Sequence, residues 1–170
     1  MARRTLIGVF AGVAAAAGCL GASSAGADGL IAAHKIPAAL ASEAVAEAVA
    51  ACAKQNYAET AVLVDTDGVR IAVLRGDGAG AHTLDSAFYK AYTAASFKAD
   101  STAVVERAKA NPTLQKLLEK LPYTVEAGGG IVIKEGNEVL GAIGAAGAPG
   151  FDLDDNCAKA GLDKIRDRLK

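Results

Sequence analysis

Few side chains in this sequence offer a soft or borderline metal donor: two histidines, three cysteines, four tyrosines, and one methionine, the initiator Met1. His34 and His82 each read two ways, as an idle polar histidine or as an imidazole donor able to hold a metal near neutral pH. Tyr123, beside Pro122, offers a phenolic oxygen as ligand or hydrogen-bonding wall, or is a half-buried core residue. Thr113 follows Asn111-Pro112, where a hydroxyl caps a helix; should that helix fold over a pocket, the same hydroxyl points inward. Asp152, Asp154 and Asp155 form a tight anionic cluster suited to a hard cation such as calcium or ferric iron. The same acids also complement a helix N-terminus. Gly128-Gly129-Gly130 lets a ligand approach the main chain with no Cβ in the way, or simply opens a hairpin. Lys90 and Arg75 are anion partners or surface charges. With no P-loop, no H-E-x-x-H and no G-x-S-x-G, nothing in the sequence demands an enzyme.

The ends and bulk composition bound what these residues can serve. Arg3 and Arg4 precede a short apolar run, Leu6 to Ala17, and Ala25-Gly26-Ala27 matches the small-residue pattern of signal cleavage. The expectation is a signal peptide over 1–27 and a secreted single domain over 28–170, of about the usual size for one core. Cys19 after Ala17-Gly18 resembles a lipoprotein box, but Ala16 stands where that box has leucine. The formal net charge of −1 becomes more negative once Arg3 and Arg4 leave, which argues against nucleic acid as partner. No later segment has the roughly 20 apolar residues of a transmembrane span. Cys52 and Cys157 remain after cleavage, either bridged in an oxidising compartment or buried as thiols.

Periodicity then supplies the elements that position the candidates. Ala41, Val45, Ala48, Val49 and Cys52 recur at helical spacing between Pro37 and Lys54. Thr60–Asp65 and Val69–Arg75 form a hairpin turned at Asp67-Gly68. Leu84–Lys98 carries a smooth alanine stripe, and Ser101–Ala110 and Thr113–Leu121 make two shorter helices broken at Asn111-Pro112. A second hairpin, Ile131–Lys134 with Glu138–Ala145, turns at Gly136-Asn137. A last helix runs from about Asn156 to Leu169, capped by one of the three aspartates. Hairpins where a doubly wound fold has crossovers predict an α+β sandwich, an antiparallel sheet with helices packed on it. Tyr123–Ala127 is expected to add a fifth strand.

The C-terminal third carries a resemblance: Gly128-Gly129-Gly130-Ile131-Val132-Ile133, Val139-Leu140-Gly141-Ala142-Ile143-Gly144, then Gly147, Asp155, Ala158 and Ala160-Gly161-Leu162. With Lys90-Ala91-Tyr92-Thr93-Ala94 and Asp67-Gly68, Arg75 and Asp77-Gly78-Ala79, the chain resembles the GlcG-like haem-binding family over the whole expected domain. Val132 departs from the family's usual proline, and Ala145-Ala146 from its valine-serine. The resemblance implies a profilin-like sandwich of about five strands, a homo-oligomer, and a bound haem or iron ion. It is strongest to extracellular members that sense haem, iron or oxidative stress and modulate a membrane sensor kinase of a two-component system. Haem degradation, or an assembly scaffold without haem, are the alternatives the family leaves open. Toward haem, the donors to test are His34, His82, Thr113 and Tyr123.

Overall fold

The computed structural model describes Gly29 and residues 32–170. The expected signal peptide, its cleavage site and Cys19 lie outside the described residues. From Ala33 to Lys170 the chain forms one compact unit. Its elements run α1 (Ala38–Ala53), β1 (Thr60–Val64), β2 (Arg70–Arg75), α2 (Thr83–Phe97), α3 (Ser101–Lys109), α4 (Pro112–Lys120), β3 (Gly130–Glu135), β4 (Glu138–Ala146) and α5 (Phe151–Ile165), with a 3-10 turn over Arg166–Arg168. Among the described residues no helix is long and apolar enough to cross a membrane.

The strands form a four-stranded sheet in the order β2-β1-β4-β3, and every pairing is antiparallel. The α+β architecture is as expected, with four strands in place of five. Tyr123–Ala127 stays out of the sheet because Tyr123 takes a left-handed φ of 65° straight after Pro122, and the Val125 N–H donates to Thr93 Oγ1 at 3.0 Å. That bond takes the Val125 N–H out of any strand ladder.

Side chains alternate across the strands and so feed two cores. On one face Ala61, Leu63, Ile131, Ile133 and Ile143 pack with the small-residue stripe of α1 and with Cys157, Ala158, Leu162 and Ile165 of α5. On the other, Val62, Val64, Ala142 and Ala146 meet Ala87, Ala91, Ala94 and Ala95 of α2. Alanine at these positions lets helix and sheet approach closely. The α3–α4 pair carries its own small cluster of Val104, Ala108 and Leu118.

Cys52 and Cys157 are bridged, with Cα atoms 5.6 Å apart, which ties α1 to α5 across 105 residues. In the chain-entropy account a loop of that length contributes about 4–5 kcal/mol. The bridge resolves the pairing that spacing alone left open.

Candidate functional site

The sheet's two ends differ, and the candidate residues divide between them. At the start of β4, just past the Gly136-Asn137 turn, Glu138 holds the N-terminal arm. The His34 backbone N–H donates to Glu138 Oε1 at 3.2 Å, and His34 Nδ1 lies 2.8 Å from Oε2. An ionised carboxylate only accepts, so Nδ1 carries a proton, and in the neutral ring Nε2 keeps its lone pair. His34 holds Glu138 below the usual carboxylate range. Beside this pair lies a cavity of about 270 Å³ with an apolar lining of Ile36, Leu40, Leu140 and Leu169. Ile36 is buried and anchors the arm in the core.

Cations rim the cavity: Lys35, Arg168 and Lys170. The Arg168 guanidinium forms a two-pronged pair with Glu43, which lowers the Glu43 carboxyl pKa and raises that of Arg168. Lys35 reaches Asp65 only loosely, at 3.8 Å. An apolar concavity with one imidazole nitrogen free and ammonium groups at its lip suits a flat apolar ligand that carries carboxylates and a metal.

The opposite end of β4 is a closed polar knot. Lys90, only 2% exposed, donates to Asp154 Oδ2 at 2.5 Å and to the Ala145 carbonyl at 3.1 Å. Asp154 Oδ1 accepts the Ala148 N–H, while Asp155 accepts the Gly129 N–H at 2.6 Å and the Thr102 hydroxyl at 2.8 Å. Ser101 Oγ accepts the Gly130 N–H, and Asp100 accepts the Val132 N–H. That last bond uses an N–H that proline lacks, so the departure at Val132 has a structural use.

This knot corrects several expectations. The last helix starts at Phe151, with Gly150 as its N-cap, so Asp152, Asp154 and Asp155 lie inside its first turns and none caps it. Asp152 is exposed, Asp154 and Asp155 are spent on different partners, and among the described residues no three acids, histidines or cysteines are grouped to hold a metal ion. The Gly128-Gly129-Gly130 run is buried against protein: a Cβ on Gly130 would meet the Lys90 carbonyl at 2.1 Å, and one on Gly128 the Thr102 hydroxyl. Close packing on α2 and α3 requires these glycines. Lys90, one of two residues singled out as anion partner or surface charge, is a buried ion-pair member.

The other donors stand apart. Thr113 is exposed in the first turn of α4, where Asn111 caps the helix and Thr113 supplies only the N–H it accepts. His82 is exposed at the N-cap of α2, its ring against Gly80. Tyr123 is 51% exposed and joins Phe88, Tyr89 and Tyr92 in an aromatic cluster with centroids 5.5–5.9 Å from its own. Arg70 sits 3.4 Å above the Phe88 ring.

Two residues escaped the sequence reading. Glu138 follows a turn and looks like any solvated strand end. Glu59 abuts the run Thr60–Val64 yet is 1% exposed, with Oε1 lacking a hydrogen-bond partner. Burial, reinforced by the charge of Asp154, pushes its carboxyl from 4.5 up to about 8 against the smaller pull of Lys90. A lone acid directly before a strand of fully buried residues was the available signal.

Comparison with known proteins bears on this arrangement. Residues 36–163 match the family model described as "Haem degrading protein HbpS-like". HbpS of Streptomyces reticuli, solved as a double mutant, is 33% identical over 92% of this chain and 97% of its own, with a TM-score of 0.73. The chain belongs to the HbpS-like family. A second HbpS structure is 34% identical over 79% of this chain and 92% of its own, also at 0.73. The more distant PduOC, crystallised as a haem complex, shares the HbpS-like fold at 20% identity, covering 78% of this chain and 96% of its own, with a TM-score of 0.71. Among curated protein sequences none matches the chain.

Proposed function

We propose that this protein binds haem in the cavity at the start of β4, with His34 Nε2 as axial donor. The observation that carries the reading is the His34–Glu138 pair beside an apolar cavity. A histidine that ligates a metal almost always gives its other ring N–H to a carboxylate or carbonyl, which fixes the tautomer. Leu40, Leu140 and Leu169 would exclude water from a bound macrocycle, and Lys35 and Lys170 would receive its propionates. Haem supplies a redox-active iron whose axial ligand sets its potential. Membership of the HbpS-like family supports haem as the ligand, and one protein of the same fold was crystallised with haem.

The resemblance also supports the finer features: a profilin-like sandwich, secretion after loss of 1–27, a homo-oligomer, and a membrane sensor kinase as partner. Val69, Val73 and Leu74, exposed on or beside edge strand β2, suit subunit contacts. The test is a haem titration followed at the Soret band, with His34→Ala, His82→Ala, Thr113→Ala and Tyr123→Phe alongside. Wild type shows a saturable shift that weakens at least tenfold in His34→Ala alone. Loss in Tyr123→Phe or Thr113→Ala instead moves haem to the aromatic cluster or to α4. No saturable shift in wild type overturns haem binding and leaves an assembly scaffold.

The description of the matched family favours haem degradation as the second reading. Bleaching of the Soret band with iron release, given an electron donor and oxygen, would select it. A stable band under those conditions would reject it.

A further inference from the structure

Glu59 has no part in the haem reading, and its surroundings are specific. Its Oε2 lies 3.3 Å from Cys52 Sγ. That sulfur is bridged to Cys157 and has no proton, so the contact is a hydrogen bond only with the carboxyl as donor. Oε1 is buried and unpartnered. The charged groups facing the carboxyl are Asp154 from α5 and Lys90 from α2. A solvent-open cavity of about 300 Å³ beside the C-terminal end of α1 is lined by Val49, Ala53, Tyr57, Glu59, Leu74 and the acidic Asp77, and neither sulfur lines it.

We propose that Glu59 is the proton donor and acceptor of the Cys52–Cys157 couple, and that this end of the protein is a thiol–disulfide exchange site for an external dithiol. A thiolate of the dithiol attacks Cys157 Sγ and forms a mixed disulfide. The Cys52–Cys157 bond breaks with its electron pair on Cys52 sulfur, and Glu59 gives that sulfur its proton and is left a carboxylate. The dithiol's second sulfur, ionised to solvent, then attacks the mixed disulfide and releases Cys157, which takes a proton from water. The dithiol departs as a disulfide, the protein is reduced by two electrons, and Glu59 recovers its proton through the cavity. Reoxidation by a disulfide reverses each step, with Glu59 taking the Cys52 proton.

The orientation follows from the contact: Glu59 touches Cys52, so Cys52 is the leaving sulfur whose charge the proton quenches. Both cysteines are buried, so exchange waits on local opening of the α1–α5 contact.

The probe is dithiothreitol, with free thiols trapped by alkylation and counted by mass across about pH 6 to 10. Wild-type reduction is expected to run roughly 10²-fold faster than that of Glu59→Gln at the acid end, the size of a typical general-acid effect. Each rate is divided by the opening of the α1–α5 contact read from amide exchange at the same pH, because ionising the buried acid loosens wild type as pH rises. The corrected ratio should fall toward one past about 8, where the carboxyl has lost its proton. A merely structural role leaves the corrected ratio flat. Glu59→Asp keeps a titrating acid but draws it back from sulfur, and should also be slow; it serves if the glutamine variant fails to fold. A ratio that is flat or rises with pH, or wild-type rates in Glu59→Asp, overturns the proposal.

Discussion

At its C-terminal end β4 runs into Lys90, Asp154, Asp155, Ser101 and Thr102, which spend their polar atoms on one another and on backbone groups. At its N-terminal end the same strand presents Glu138, paired with His34 of the arm and like it exposed, beside an apolar floor with Lys35, Arg168 and Lys170 at the lip. One sheet therefore carries a sealed end and an open one. The sealed end pins α2, α3 and α5 together, since breaking any of its bonds strands a buried polar group. In the proposed reading the open end keeps His34 Nε2 for a ligand from outside the chain. The family-like motif belongs mostly to the sealed end, so the residues that made the family recognisable position the fold, and the proposed ligand residues lie elsewhere.

The largest effect that would break this contrast is expected from Lys90→Met. It leaves Asp154 charged and unpaired in the interior, a loss of about 3–5 kcal/mol by denaturant unfolding, with haem affinity in the surviving folded fraction unchanged. Next comes the pH dependence of stability. Glu59 titrates near 4.5 when unfolded and near 8 when folded, so the folded chain binds the extra proton between those values. Its contribution is full below about 4.5 and is lost as pH rises toward 8, on the order of a few kcal/mol. Unfolding curves of Glu59→Gln should be flatter over that window; an equal slope in both proteins would contradict the buried acid. The smallest effect is Glu138→Gln, which removes the charge behind His34 and should weaken haem roughly tenfold, at the low end for a residue supporting a ligand, without moving the melt.

Local pattern made the elements legible. Alanine and valine at helical spacing marked α1, and Asp67-Gly68 marked the first turn, where Asp65 Oδ1 also accepts the Asp67 and Val69 N–H groups. The start of α5 was missed because three acids look like caps. Pro149-Gly150 ends the preceding chain and Gly150 caps in their stead, leaving the acids to favour the helix dipole from inside. Lys90 lies on the alanine face of α2, where a lysine reads as a solvated edge, and its partner is 64 residues away. No local signal encodes such a pairing. His34 was legible as a donor, but the cavity beside it was not, since it is assembled from the arm, α1, β4 and the C-terminus.

The most direct test of the contrast is a Soret titration of His34→Ala and Lys90→Met, each read beside its own thermal melt. The account predicts a crossed result: His34→Ala melts with wild type and loses haem at least tenfold, whereas Lys90→Met melts early and binds haem as wild type while folded. Equal loss of haem in both, or full affinity in His34→Ala, would contradict it.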